Sequence, residues 1–145
     1  MITYIDTSVL LKLLVGDEVG LDAAQRLWLE SDFVVCAELG YVEARAALAA
    51  ARRAGRLDAD GLSLAKTELK MLWAQVDVVP VTTALVLAAG DLAEAEGLRG
   101  YDAVHLAAAL AGQATVVATT DSQLLAAAQR NHLDVSNPSE PYDDA

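Results

Sequence analysis

Short runs of β-branched and aromatic residues alternate with longer stretches in which alanine and leucine recur every three or four positions. That rhythm is expected of a parallel sheet covered by helices on both faces. The short runs predict strands at 2–5, 33–36, 76–81 and 115–118, with a weaker fifth at 133–135, and Pro80 marks the third as an edge strand. The longer pattern predicts helices at 9–15, 21–30, 38–54, 58–74, 83–95, 102–111 and 122–131. The expected fold is a three-layer α/β/α domain with a central, mostly parallel sheet of four to five strands. Gly55, Gly97 and Gly112 fall just past helical patterns, where a left-handed cap is cheapest for a residue without Cβ. Residues 137–145 are polar, hold two of the three prolines and lack periodicity, so they read as a C-terminal tail beyond one domain at 1–136.

Composition narrows the class of protein. With 145 residues the chain has room for one domain, and 54% hydrophobic against 21% charged residues excludes disorder. The net charge of −11 removes any global positive field for nucleic acid, so a polyanion must be met locally. Cys36 is the single cysteine and cannot form an internal disulfide, which suits a reducing compartment. The start, Met-Ile-Thr-Tyr-Ile-Asp, has neither the basic opening nor the apolar stretch of a signal peptide, and a cytoplasmic location is expected. The most apolar stretch, 103–118, is interrupted by His105, Gly112 and Gln113, short of the about 20 apolar residues of a membrane span.

The chemistry lies in the acids. The first strand runs into Asp6-Thr7-Ser8 and the fourth into Thr119-Thr120-Asp121, so two acids end two strands. Ligands of open parallel sheets bind at the carboxyl edge where the winding reverses, and Asp6 and Asp121 meet there if their strands are neighbours. A helix N-cap explains either alone, yet Thr7, Ser8, Thr120 and Ser122 offer hydroxyls for that purpose. Glu43 sits inside a helix, at the edge of an apolar face expected from Leu39, Val42, Ala46 and Ala50. Asp102 opens the apolar run Asp-Ala-Val-His-Leu-Ala, where an N-cap is again the ordinary explanation. His105, three residues on, reads as a core or supporting histidine rather than a metal ligand, because no second His or Cys stands at ligand spacing. Together Asp6, Glu43, Asp102 and Asp121 form a set that repels itself unless protons or cations neutralise it. All-oxygen donors suit Mg²⁺ or Mn²⁺, which activate water for in-line attack on a phosphodiester.

The order of a hydrophobic strand into Asp6-Thr-Ser-Val-Leu-Leu-Lys12, then Glu43, then Tyr101-Asp-Ala-Val-His-Leu-Ala107, then Val117-Ala-Thr-Thr-Asp121 resembles a PIN domain. More narrowly it resembles VapC, the ribonuclease toxin of type II toxin–antitoxin pairs, over nearly the whole chain except the tail. The resemblance implies an acidic metal site of Asp6, Glu43, Asp102 and Asp121, with Thr119 as the hydroxyl two places before the last acid and Ser8 supporting the first. Asp6 and Asp102 are expected to ligate directly, Glu43 to ligate or act as base, and Asp121 to ligate through water. It further implies RNA cleavage leaving a 5′-phosphate and a 3′-hydroxyl, a homodimer, and a small VapB-like antitoxin filling the active-site groove. Many relatives carry a serine at Cys36-Ala37, a minor polar contact.

Other readings stay open at this level. Arg45 and Arg52 share a helix face with Arg53 and Arg56 close by, which fits a solvated face, an RNA-backbone stripe or a dimer contact. A PIN nuclease that processes RNA without an antitoxin would carry an identical site. An aspartyl phosphatase of the haloacid dehalogenase kind predicts an acid two residues after Asp6, where Ser8 stands. A non-catalytic interaction module is the reading without chemistry. Aromatic residues at 5% rule out recognition dominated by base stacking.

Overall fold

The computed structural model describes residues 1–16 and 19–140. Its sheet is built from strands whose side chains alternate between two cores. In β1 (Ile2–Ile5), Tyr4 faces one core and Ile5 the other, and in β2 (Phe33–Ala37), Val35 and Ala37 oppose Val34 and Cys36. Both faces are therefore apolar and both must be covered. Helices α1 (Thr7–Leu14), α2 (Leu21–Glu30), α3 (Leu39–Arg53) and α4 (Ala59–Trp73) supply the cover on the Ile5 face. Helices α5 (Thr83–Glu96), α6 (Gly100–Ala111) and α7 (Ser122–Arg130) cover the Tyr4 face. With β3 (Asp77–Val79), β4 (Val116–Ala118) and β5 (Asp134–Ser136), the sheet runs β3-β2-β1-β4-β5, every neighbouring pair parallel. This is the three-layer α/β/α arrangement expected from the sequence.

The strand order fixes where chemistry can sit. The chain winds outward from β1 through β2 to β3, then crosses back to β4 on the other side of β1. The winding reverses between β1 and β4, and a crevice opens at their carboxyl ends. Ile5 pairs with Ala118 in register, and the Asp6 N–H donates to the Ala118 carbonyl at 3.2 Å. Asp6 and Thr119 thus leave the sheet side by side.

Four local expectations are corrected. The buried stripe of α3 is Gly40, Ala44, Leu48 and Ala51, whereas Val42 is 59% exposed and Ala46 and Ala50 are exposed. Alanine carries little directional signal, and the close approach of Gly40 to the sheet decides the phase. A Cβ there would fall well inside contact with the Cys36 sulfur, at the end of β2. Second, α6 begins at Gly100, so Asp102 is a first-turn residue and the N-cap is Arg99, whose carbonyl accepts from the Ala103 N–H at 3.0 Å. Third, Gly112 is not left-handed (φ −79°), and the turn is made by Gln113 (φ 57°). Gly112 is required for space instead, since a Cβ would stand 2.6 Å from a Val35 methyl. Fourth, α1 starts at Thr7 rather than residue 9, because Asp6 caps it.

Of the segment read as a tail, 141–145 lie outside the described residues. Pro138 packs against Gly20 (φ 94°) so closely that a Cβ there would not fit. Among the described residues no helix is long and apolar enough to cross a membrane.

Candidate functional site

Asp6 is placed by three constraints acting together. It follows β1 directly, caps α1, and is 7% exposed. Its Oδ1 accepts from the Ser8 hydroxyl at 2.5 Å and the Val9 N–H at 3.3 Å, while Oδ2 accepts from the Thr119 hydroxyl. Thr119, fully buried, in turn accepts from the Asp121 N–H at 3.0 Å, and Ser8 accepts from the Thr120 N–H at 3.1 Å. A lattice of hydroxyls therefore ties the end of β1 to the end of β4. Burial raises the Asp6 carboxyl above its ordinary pKa, and the bonds from Ser8 and Thr119 offset only part of that rise.

Glu43 is held by a second chain of bonds that starts in the core. The Ala37 N–H donates to the Tyr4 hydroxyl at 3.1 Å, and that hydroxyl lies 2.5 Å from His105 Nδ1. Burial keeps the Tyr4 phenol far above its usual pKa, so it stays protonated and has one hydrogen to give. The ionised Glu43 carboxylate on the far side of the ring can only accept, so Nε2 carries a proton, and in the neutral ring Nδ1 accepts from the phenol. Nε2 then donates to Glu43 Oε1 at 2.6 Å, where the Thr7 hydroxyl also donates at 3.1 Å. Burial works to raise the Glu43 carboxyl, but the His105 and Thr7 contacts outweigh it and hold the pKa below the usual value.

Asp102 and Asp121 share a partner. Asp121 caps α7 through Oδ1, accepting from the Gln123 and Leu124 N–H groups at 2.9 and 3.0 Å. Its Oδ2 accepts from Arg99 Nη2 at 3.4 Å, and Asp102 Oδ2 accepts from Arg99 Nε at 3.1 Å. One guanidinium thus spans the first turn of α6 and the turn after β4.

Thr119 and Arg99 link Asp6, Asp121 and Asp102 at this edge, with Ser8 beside Asp6, while Glu43 hangs on its separate chain through His105 and Thr7, the residue next to Asp6. Among the described residues no three His, Cys, Asp or Glu side chains are drawn together tightly enough to hold a metal ion as they stand. Each carboxylate is instead turned toward a donor of the protein itself. The donor set still fits a hard divalent cation in kind, being all oxygen, and a positive group already lies between two of its members. Capping and site geometry coexist: Asp121 caps with one oxygen and keeps the other for Arg99, and Asp6 caps with Oδ1 while Oδ2 meets Thr119. His105 is buried between Tyr4 and Glu43, a supporting position.

Sequence reasoning passed over Tyr4, Thr7 and Arg99. Tyr4 was legible as the one aromatic of the first strand, and Arg99 as a base three residues before an acid at a helix start. The basic residues it did single out lie elsewhere. Arg45 donates to the Tyr41 hydroxyl at 3.2 Å and lies 5.9 Å from that ring's centre, and Arg45, Arg52, Arg53 and Arg56 are exposed.

Known proteins share this fold. The family model described as PIN domain matches residues 3–130. Ribonuclease VapC45 of Mycobacterium tuberculosis (strain CDC 1551 / Oshkosh) is 42% identical over 125 residues, 85% of this chain and 86% of the relative. The crystal structure of Mycobacterium tuberculosis VapC20, a Sarcin-Ricin loop cleaving toxin, superposes with a TM-score of 0.67 at 20% identity, over 86% of this chain and 94% of its own. A toxin–antitoxin complex from Klebsiella pneumoniae superposes with a TM-score of 0.68 at 16% identity, over 96% of this chain and 99% of its own.

Proposed function

This chain belongs to the PIN-domain family, and on that premise we propose that it is a VapC-type endoribonuclease toxin, hydrolysing RNA with Mg²⁺ or Mn²⁺ at Asp6, Glu43, Asp102 and Asp121. One observation above the others supports the reading. The hydroxyl lattice from Ser8 through Asp6 and Thr119 to Asp121 joins two strand ends at the point where the sheet reverses its winding, and it leaves oxygen donors there.

When bound, Mg²⁺ or Mn²⁺ lowers the pKa of water and offsets the charge that develops on a phosphodiester during in-line attack. The protein's own groups do the rest. Ser8 and Thr119 orient Asp6 through both of its oxygens, so the carboxylate enters the reaction with its position fixed. His105 and Thr7 keep Glu43 ionised and aimed, ready to ligate or to take a proton from the attacking water. Asp102 would hold the cation directly and Asp121 through water. The products carry a 5′-phosphate and a 3′-hydroxyl.

The toxin reading brings partners with it. A VapB-like antitoxin holds the protein inactive by laying an apolar helix on it and setting a Lys or Arg against the acids, and the toxin itself is a homodimer. A groove of about 410 Å³ between α1, α2 and α4, lined by Leu13, Trp28, Leu29, Met71 and Leu72, would seat such a helix; none of the four acids lines it, so the Lys or Arg has to come from a segment flanking the helix. The test is cleavage of total RNA in Mg²⁺, Mn²⁺ or chelator by wild type and Asp6→Asn. Cleavage by wild type only, with cation only, is expected. Full activity in chelator overturns the metal mechanism.

A further inference from the structure

Arg99 occupies a position that the proposed chemistry does not use. It is the N-cap residue of α6 in extended conformation (φ −64°, ψ 155°), and it follows Leu98, which is buried and anchors the turn. Its side chain is 77% exposed, whereas Asp102 and Asp121 beneath it are 14% and 30% exposed. The guanidinium meets one oxygen of each acid, Nε on Asp102 at 3.1 Å and Nη2 on Asp121 at 3.4 Å. Both contacted atoms are Oδ2, and the second oxygen of Asp121 is committed to the cap of α7. The arginine therefore covers the Asp121 oxygen that the cap leaves over.

A guanidinium neutralises two neighbouring carboxylates much as a cation would, but with one charge instead of two and from an exposed, loosely held side chain. Resting on the four-acid metal reading above, we infer that Arg99 is a resident counter-ion. It satisfies Asp102 and Asp121 in the metal-free protein, a divalent cation has to displace it to load, and it sets the cation concentration at which the site fills. This accounts for two facts at once. Asp102 and Asp121 share one guanidinium on a chain of net charge −11, and among the described residues no three His, Cys, Asp or Glu side chains are grouped to hold a metal ion. Arg99 is thus a regulator of loading and not a ligand.

The test is Mn²⁺ binding to the RNA-free protein, followed by electron paramagnetic resonance, for wild type, Arg99→Gln, Arg99→Lys and Arg45→Gln. Arg99→Gln is expected to bind Mn²⁺ roughly threefold or more tightly, the scale of two partly exposed ion pairs. Arg99→Lys keeps the charge but not the planar fork that spans two acids, and is expected to fall between wild type and Arg99→Gln. Arg45→Gln removes the same charge from a side chain stacked on Tyr41, and is expected to match wild type. Melting in chelator adds a second readout: Arg99→Gln should melt below wild type without cation and gain more from Mn²⁺. Equal Mn²⁺ affinity for wild type and Arg99→Gln overturns the counter-ion role and leaves the nuclease reading standing. So does Arg45→Gln tightening as much as Arg99→Gln, which would make the effect one of net charge. Absence of Mn²⁺ binding in every variant overturns both.

Discussion

Asp6 and Glu43 are both carboxylates at the same sheet edge, yet their surroundings push them in opposite directions. Burial raises Asp6, so its folded-state pKa lies above its unfolded one. Its contribution to stability is then present below the ordinary carboxyl value and is lost as pH rises through the raised value. Metal-free Asp6→Asn should consequently melt at or above wild type at neutral pH, with the advantage shrinking on acidification. Asp6→Ala, which removes the cap as well, should lose about 0.5–2 kcal/mol. Thermal melts of both variants in chelator across pH 3–7 check this. Glu43 is lowered in spite of its burial, through His105 and Thr7. Its contribution is present above the ordinary carboxyl value and is lost as pH falls through the lowered one. Glu43→Gln should be less stable than wild type at pH 7, and the gap should close toward acid pH. Behind Glu43, Tyr4→Phe deprives His105 Nδ1 of its donor and the Ala37 N–H of its acceptor. Unfolding in urea should register about 1–3 kcal/mol. The ¹⁵N shifts of His105 should move away from a pure Nε2–H tautomer, and cleavage should fall with them.

Among the elements, α3 decides whether Glu43 reaches the site, and its seat depends on one missing side chain. Gly40 rests against the Cys36 sulfur at the end of β2, so the helix lies close to the sheet. Gly40→Ala should push α3 away, cost about 1–3 kcal/mol by overpacking, and lower cleavage by displacing Glu43. Adding Cys36→Ala frees the space, and the double variant should recover part of both losses; the coupling in a double-mutant cycle is the measurement. The same helix shows where sequence reading stops. Its existence was legible, but the face from which Glu43 was placed was not: a run of alanines fits several phases, and only the tight contact with Cys36 selects Gly40, Ala44, Leu48 and Ala51 as the buried stripe. Likewise the apolar run places the start of α6 at Asp102, because Gly100 is a poor helix former and Tyr101, 68% exposed, lies off the buried face. The ends of β1 and β4 were easier to read, since an acid directly after a β-branched run is visible without tertiary contacts.

At the scale of the whole molecule, topology and charge act together. The reversal of winding between β1 and β4 brings to one edge residues as distant in sequence as Asp6 and Asp121, and no local pattern could show Arg99 linking two of the acids there. The net charge of −11 opposes RNA everywhere else, so binding should be weak without cation, and in its presence the salt dependence should be shallow, reflecting few phosphate contacts. A steep salt slope in filter binding would reveal a basic surface that the exposed arginines of α3 have to supply. The most direct test of the account is to measure, in one series, RNA cleavage and the Mg²⁺-induced rise in melting temperature for wild type, Asp6→Asn, Glu43→Gln, Asp102→Asn and Asp121→Asn. Wild type is expected to cut RNA only with cation and to melt higher in Mg²⁺, and the four variants to lose cleavage by about 100-fold or more and most of that melting gain. Amide variants that cut RNA at the wild-type rate, beside a wild type that gains nothing from Mg²⁺, would contradict the account.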